Sequence, residues 1–352
     1  MGNKKKVFLA GDIGGTKTEL ALFSKKGAGI FCVERKRFLS ARHKGAEAVI
    51  GGFFKDVGRG YEIEAAALGV AGPVEDNRAS LPNLGWRVDG NKIGKKFSFK
   101  CLLLNDLEAT ALGIGELSSK DFFCLQKGRP TRSEPCSAWV PRGYPEGNAA
   151  IIAPGTGLGE AALLNLGGEF FPIASEGGHA DFAPRNGIEA ELLFYLSAKY
   201  GHVSYDRVVS GPGIKEIYDF LTHGEKPPER IRKRFLVEDP SAVIADEAGE
   251  KGGDKTCLKA LSLFVSIFGA EAGNMALRHL ASGGVYLAGG IPPKILGALK
   301  RKEFLESFRD KGRFMGYLSV IPVYVVLNEM AALLGAAKFA STKGRSNGRK
   351  GL

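Results

Sequence analysis

The chain has few cysteines, and the five it has are scattered through its 352 residues. No two of them form a C-x-x-C pair, so their spacing favours neither a disulfide framework nor a zinc site. This usage is typical of a protein in the reducing cytoplasm, where we expect the chain to work. An apolar signal core is absent from the N-terminus. Apolar runs such as residues 261–270 are too short to span a bilayer, so we expect no membrane contact.

Acidic residues are too few to balance the basic ones, and the net charge is +11. Most of the excess lies near the two ends, in the lysines at 4–6 and in five basic residues from Lys338 onward. Such runs are typical of frayed termini, whereas a nucleic-acid-binding domain clusters its basic residues on one folded face. We therefore expect no nucleic-acid partner, and we interpret residues 343–352 as a basic, disordered tail.

Glycine is abundant, with 49 residues that cluster in short turns beside apolar strands. Residues 7–23 and 149–164 share the pattern of strand, glycine-rich turn and strand, which indicates a weak internal repeat. Apolar patterning predicts the remaining strands and helices. The predicted strands are 30–39, 65–70, 100–104, 285–288 and 320–326, and the predicted helices are 46–57, 107–115, 188–200, 213–222, 256–280 and 329–340. Residues 126–148 indicate a surface loop, and the whole pattern predicts a mixed α/β protein of two lobes with a cleft.

The glycine-rich turn at 11–16 is neither a Walker loop nor a dinucleotide-binding motif, because a strand rather than a helix follows it. Its amides can bind phosphate oxygens, and Asp12 can hold Mg²⁺ through water, although an ordinary hairpin turn would look the same. A second such turn at 154–159 and a glycine pair after a later strand favour a nucleotide site. We expect this site to contain Gly11, Asp12, Gly14, Gly15, Thr16, Lys17, Gly155, Thr156, Gly157, Gly289 and Gly290.

Asp106 follows a buried strand and begins a helix. The positive end of the helix dipole should keep its carboxylate ionised at neutral pH, which suits a general base. Capping of the helix is the other role open to it. Glu176 and His179 flank a Gly-Gly turn and can converge on a polyol, because a sugar site needs several donors and acceptors. A histidine buried in the core is the alternative for His179.

These motifs together resemble the bacterial glucokinase family, within the superfamily of sugar kinases, actin and heat-shock ATPases. The resemblance covers most of the chain, and it depends on the order and spacing of the motifs. They are residues 9–16, 103–106, 154–159, 175–184, 207–213, 283–291 and 310–314.

The resemblance implies a two-domain, actin-like (ribonuclease H-like) α/β fold with ATP, Mg²⁺ and glucose in the interdomain cleft. The implied domains are residues 1–108 with 328–342, and residues 109–327. It also implies a homodimer and phosphorylation of the glucose 6-hydroxyl with Asp106 as catalytic base. The implied sugar ligands are Asn83, Asn105, Asp106, Glu176, His179 and Asp206. Asp206 stands where the family usually has Glu, and the zinc-binding cysteines of related ROK proteins are missing, so we expect no metal beyond Mg²⁺.

Three alternatives remain open at this stage. The chain could phosphorylate another hexose, such as mannose, fructose or an amino sugar, and Asp206 is the residue that would decide this. A non-kinase actin-like ATPase would not require the polar residues at 105–106 and 176–179. A sugar-sensing repressor of the ROK type normally has an N-terminal helix-turn-helix domain, for which we expect no room before the strand at Val7.

Overall fold

A computed structural model describes residues 4–27, 29–57, 60–128, 146–249 and 253–344. Residues 129–145 of the expected surface loop and 345–352 of the expected tail lie outside the described residues. The strands are β1 Lys5–Ile13, β2 Lys17–Lys26, β3 Gly29–Leu39, β4 Tyr61–Val70, β5 Arg78–Leu81, β6 Trp86–Asp89, β7 Lys100–Asn105, β8 Phe122–Gln126, β9 Ala149–Pro154, β10 Leu158–Leu166, β11 Glu169–Ser175, β12 Gly284–Leu287 and β13 Val323–Val326. The helices are α1 Ala46–Val57, α2 Gly90–Phe97, α3 Asp106–Ile114, α4 Gly187–Tyr200, α5 Tyr205–Val208, α6 Gly211–Leu221, α7 Glu229–Phe235, α8 Pro240–Glu247, α9 Lys255–Arg278, α10 Leu296–Leu299, α11 Lys302–Arg309, α12 Met315–Leu318 and α13 Ala331–Lys343.

Two large sheets repeat one topology. The first has the order β3-β2-β1-β4-β7, and the second has the order β11-β10-β9-β12-β13-β8. In each, the strand before the glycine turn (β1 or β9) pairs antiparallel with the strand after it and parallel with a later strand. The internal repeat predicted from the two glycine turns is therefore confirmed, and it extends beyond the turns to the sheets that hold them.

The two sheets have separate apolar cores. Helix α1 and the β5–β6 hairpin cover one face of the first sheet, while α3 and α13 cover the other. Helix α9 lies at the centre of the second core, against β9 and β12 and the helices around them. Helices α3 and α13 also pack against each other, so they join the two halves of the molecule.

Some elements differ from the sequence predictions. Strand β13 begins at Val323 rather than at residue 320, because Pro322 has no amide hydrogen for a sheet ladder. Strand β11 was not predicted, since it is mostly exposed and contains Pro172. The expected fraying of the basic ends was wrong within the described residues. Lys5 and Lys6 begin β1, and Lys338 in α13 forms an ion pair with Glu116 at 2.7 Å.

The apolar run at 261–270, expected to be too short to span a bilayer, lies within the longer helix α9. By length and composition alone, this 24-residue helix could do so, because its most apolar 18-residue window has a mean hydropathy of 1.4. However, 78% of its most apolar window is buried inside the fold. This burial is typical of the core helix of a globular protein.

The parallel strands of the first sheet bring three chain segments to one edge. Ile13, Val70 and Asn105 lie side by side at the carboxyl ends of β1, β4 and β7. In open α/β sheets, ligands bind at this edge, where loops leave the strands. Asp12, one residue before the end of β1, and Asp106, just past the end of β7, therefore lie close together.

Candidate active site

Asn105, rather than Asp106, caps helix α3. Its Oδ1 accepts hydrogen bonds from the amides of Leu107 (2.8 Å) and Glu108 (3.4 Å), and the Glu108 carboxylate accepts one from the Asn105 amide (2.9 Å). The Asn105 Nδ2 donates to the carbonyl of Gly72 at 3.2 Å. This capping box satisfies the helix end, so the capping role left open for Asp106 was wrong.

The Asp106 carboxyl is therefore not needed to cap the helix, but its surroundings disfavour the ionised form. Burial, with the neighbouring charge of Asp12 next, raises the pKa of Asp106 to about 7. A hydrogen bond from the Leu107 amide at 2.9 Å opposes this shift only in part. Burial therefore opposes the ionisation that the helix dipole favours, and the pKa of Asp106 lies near neutral pH.

Asp12 occupies the end of β1 and faces Glu19 across the β1–β2 pair. Burial raises the pKa of Asp12 to about 6, although the charge of Lys17 opposes this. Within the described ranges, no three His, Cys, Asp or Glu side chains converge to hold a metal ion. The Asp12 carboxylate beside a phosphate-binding turn fits Mg²⁺, which usually binds one or two carboxylates, phosphates and several waters.

Hydrogen bonds fix the backbone of the first glycine turn, and the tip of the turn is exposed to solvent. The Gly14 amide donates to the Lys17 carbonyl at 2.9 Å, and the hydroxyl of buried Ser40 donates to the Gly14 carbonyl at 2.8 Å. Gly15 and Thr16 remain exposed at the tip. Asn83 lies beside this tip, with its Cβ 4.0 Å from the place a Gly15 side chain would begin. The structure thus brings the predicted sugar ligand Asn83 to the first turn.

The second glycine turn packs against two neighbouring elements, α6 and the segment that follows β12. The Gly155 amide donates to the Gly157 carbonyl, and the Gly211 amide donates to the Gly155 carbonyl, each at 2.8 Å. Gly289 has φ +82° and packs directly against the Pro154 carbonyl, where a side chain would not fit. The third glycine element therefore lies against the second turn, while Thr156 and Gly290 are exposed nearby.

Asp206 supports the second turn directly. Its Oδ1 accepts a hydrogen bond from the Leu158 amide at 2.6 Å. A Cβ at Gly157 would come within 2.5 Å of the same oxygen, so only glycine fits there. One carboxylate oxygen of this predicted sugar ligand is thus committed to the phosphate-binding turn.

Glu176 and His179 lie together at the surface of the cleft. Their closest side-chain atoms, Glu176 Oε2 and His179 Nε2, are 4.0 Å apart, and the side chains are 61% and 65% exposed. A buried-core role for His179 is therefore wrong. Gly178, between them, packs against the Leu158 carbonyl, so this motif rests on the strand that leaves the second turn. The charge of Glu176 contributes to the raised pKa of Asp106, which places the two carboxylates in one electrostatic neighbourhood.

The start of α3 contacts both the end of β1 and the second glycine turn. A Cβ at Gly69 would lie 3.5 Å from both the Asp106 Cα and the Gly11 carbonyl, so β4, β1 and α3 meet at this point. On the other side, the Leu107 side chain packs against Gly159 of the second turn. Asp106 therefore lies between the two glycine turns, as the sequence predicts.

Sequence reasoning missed three supporting residues. Ser40 holds the first turn, and Glu19 accepts hydrogen bonds from Arg35 and Arg37 beside Asp12. Glu160, in the strand after the second turn, is 1% exposed. A glutamate within an apolar strand is itself a signal, because an unpaired buried charge is rare.

Comparison with known proteins adds an independent finding. A sequence model of the glucokinase family matches residues 9–343. A glucokinase from a Nostoc species is 38% identical over 95% of this chain and 99% of its own length. The crystal structure of a glucokinase from an Antarctic psychrotroph has a TM-score of 0.76 at 28% identity, covering 96% of this chain and 99% of that one. A ROK-family glucokinase from Streptomyces griseus, solved with glucose and AMPPNP, has a TM-score of 0.62 at 20% identity, covering 95% and 99%. These likenesses confirm the predicted two-domain, actin-like fold.

Proposed function

The chain belongs to the glucokinase family, and we propose that its cleft performs ATP-dependent phosphorylation of glucose at the 6-hydroxyl. The observation that carries this assignment is the position of Asp106 between two glycine turns and beside Glu176. The curated relatives named glucokinase cover nearly the whole chain, which supports the same reaction.

Asp106 acts as the general base. Its carboxylate accepts the proton of the sugar 6-hydroxyl as that oxygen attacks the γ-phosphorus of ATP, and the bond to ADP breaks. A base with a pKa near the working pH combines a usable ionised fraction with adequate basicity, and the raised pKa of Asp106 meets this requirement. Most of the remaining acceleration comes from positioning and charge stabilisation.

The two glycine turns hold the phosphates. The backbone amides and the exposed Thr16 and Thr156 hydroxyls donate to phosphate oxygens from the two sides of the cleft. Lys17 adds a cation at the first turn, and Gly289 and Gly290 allow close approach of the adenosine. The Streptomyces griseus neighbour was solved with an ATP analogue, which supports this placement by analogy of fold.

Asp12 is our candidate for binding Mg²⁺ through water. When bound with the nucleotide, Mg²⁺ would neutralise phosphate charge. Asp12 itself positions the metal's water shell and, as a neighbouring negative charge, keeps Asp106 basic.

Glucose binds through Asp106, Glu176 and His179, with Asn83 at the first turn. Asn105 contributes mainly by holding the start of α3, and Asp206 through its second carboxylate oxygen. We further propose that the lobes, residues 1–108 with 328–342 and residues 109–327, close around the substrates. A cytoplasmic homodimer remains our proposal from the family, and sedimentation velocity would test the dimer.

The test is glucose-dependent release of ADP by the purified chain. Asp106→Asn should lower kcat by about 10²–10⁴-fold while glucose binding, measured by calorimetry, largely survives. Asp219→Asn is the matched control, because Asp219 pairs with Lys215 on α6, away from the cleft. Wild-type-like turnover in Asp106→Asn would refute the assignment, and ADP release without any sugar would favour a non-kinase ATPase.

A further inference from the structure

Glu160 is a buried acid with no conventional hydrogen-bond donor. It lies on β10, two residues beyond Leu158, and is 1% exposed. Among the described residues, no N–H or O–H group donates to either of its carboxylate oxygens. The Arg278 Nη1, at 3.9 Å from Oε2, is too far for a hydrogen bond. An ionised carboxylate in this position would be strongly disfavoured.

Its neighbour is a second buried acid that is well paired. Glu271 on α9 is fully buried and accepts hydrogen bonds from Arg278 Nη1 (2.6 Å) and Asn274 Nδ2 (2.7 Å). Arg278 Nη1 lies near both acids, 2.6 Å from Glu271 Oε1 and 3.9 Å from Glu160 Oε2, so Glu271 holds this cation at hydrogen-bonding distance and Glu160 does not. A buried carboxyl that has no donor and lies near a second carboxylate is most stable in its protonated form, because burial and the neighbouring negative charge both disfavour its ionisation.

The pair lies directly beneath the sugar motif. Glu160 pairs with Ser175 across β10 and β11, and a Cβ at Gly177 would overlap Glu160 Oε2. Gly177 separates Glu176 from the rest of the turn that ends at His179. The Glu160 carboxyl therefore packs beneath the turn that carries the two proposed sugar ligands, Glu176 and His179.

We propose that Glu160 is a positioning residue, whose proton, donated to Glu271, holds the turn at 177–179 in the conformation that binds sugar. This inference rests on the proposed function, because it concerns the sugar site. Protonated, Glu160 is neutral and leaves Glu271 and Arg278 as a balanced ion pair. Loss of the proton would place a second negative charge beside Glu271. The Glu160 side chain would then move away from it, and Gly177, which packs on Glu160, would shift as well.

The relevant pH range is alkaline. Burial, with the charge of Glu271 next, raises the pKa of Glu160 to about 8. Other groups also face the pair. Arg278 is the balancing cation, and Tyr205 on α5, whose hydroxyl accepts a hydrogen bond from Asn274 Nδ2 at 3.3 Å, has its pKa raised to about 12, mainly by burial. Lys311, whose Cε packs against Gly273 of α9, has its pKa lowered by burial, so its titration must be separated from that of Glu160.

The first test is glucose binding by calorimetry from pH 7 to 9.5. If binding requires the proton, the wild-type Kd should rise about thirtyfold over this range. In Glu160→Gln the amide can donate to Glu271 at every pH, so the rise in Kd should disappear. Any rise in Kd that remains in this variant is due to the titration of Lys311. Glu247→Gln, a buried glutamate paired with Arg230 and Arg234, should keep the wild-type profile. An equal rise in wild type and Glu160→Gln, or a Glu160→Gln chain that does not fold, would overturn the proposal.

The second test needs no sugar. A carboxyl whose folded-state pKa lies above its unfolded value makes the fold less stable as pH rises between those two values. The melting temperature of Glu160→Gln should therefore gain progressively on wild type from pH 5 to pH 8 and then level off. A constant difference would contradict the buried proton. Absence of glucose binding by wild type at any pH would instead refute the proposed function while leaving this melting result intact.

Discussion

At the scale of residues, the start of α3 divides two tasks between neighbours. Asn105 satisfies the helix end with its side-chain amide, so Asp106 need not do so. The Asp106 carboxyl accepts a hydrogen bond from the Leu107 amide of its own helix and has an adjacent negative charge at Asp12. That environment explains why its pKa rises even though it lies at a helix N-terminus.

This pKa predicts how activity depends on pH. Because the ionised form is the base, kcat/KM should fall about tenfold per pH unit below pH 7, the value near which Asp106 titrates. In Asp12→Asn, one negative neighbour is lost, so the acid limb should move to lower pH even though overall activity is reduced. Initial rates between pH 5 and 8 would show this. An acid limb that stays in place, or moves upward, would contradict the coupling of the two carboxyls.

Asp206 predicts a change in substrate use. Its short side chain reaches the Leu158 amide, and a glutamate would have to bend away from that amide or displace the turn. We expect Asp206→Glu to raise the KM for ATP and to change the ranking of kcat/KM among glucose, mannose, fructose and glucosamine. Asp206→Asn keeps an acceptor for Leu158 and is the matched control. An unchanged sugar ranking with a normal KM for ATP would show that the turn does not depend on this contact.

The sequence predicted which residues form the site better than it predicted their states. Asp12, Asp106 and the glycines were found because a strand followed by a glycine cluster or a helix has a recognisable pattern. Whether Asn105 or Asp106 caps α3 could not be read from the pattern, since both residue types cap helices. Likewise, the burial that raises the pKa of Asp106 depends on β1 and α3 meeting at Gly69, which is a tertiary contact.

At the scale of elements, α3 and α13 cross at two glycines. A Cβ at Gly113 would overlap the Ala331 carbonyl, and one at Gly335 would overlap the Ala109 carbonyl. The helix backbones are therefore in direct contact, which fixes α3 against the first sheet and sets the position of Asp106. The sequence predicted both helices but gave no sign of this crossing, because a single glycine in a helix has no fixed partner.

This crossing predicts a stability difference between glycines. Gly113→Ala or Gly335→Ala should lower the free energy of unfolding by about 1–3 kcal/mol, since helix backbones must separate to admit a methyl group. In contrast, Gly52→Ala in α1 should be neutral or stabilising by about 0.5–1 kcal/mol, because no described atom lies within 4 Å of that Cβ position. Urea denaturation of the three variants would measure the difference. Equal effects at Gly113 and Gly52 would mean that the helices can move apart freely.

At the scale of the whole molecule, two similar sheets face each other across the start of α3. The chain passes between the halves near Asp106 and again between β13 and α13, so few backbone connections oppose a relative rotation. The proposed ligands Glu176 and His179 are both more than half exposed, and Thr16 and Thr156 are exposed as well. Sugar hydroxyls bound to such side chains would remain in contact with water.

Closure of the halves would remove that water, which also protects ATP from hydrolysis. We therefore expect glucose with a non-hydrolysable ATP analogue to reduce the radius of gyration measured by X-ray scattering. Amide hydrogen exchange should slow in residues 155–159 and 175–179, because both segments would become part of the closed interface. Sorbitol at the same concentration is the control, since it lacks the pyranose ring. If both ligands bind and neither the radius nor the exchange changes, the cleft is already in its working conformation, and Glu176 and His179 must bind sugar while exposed.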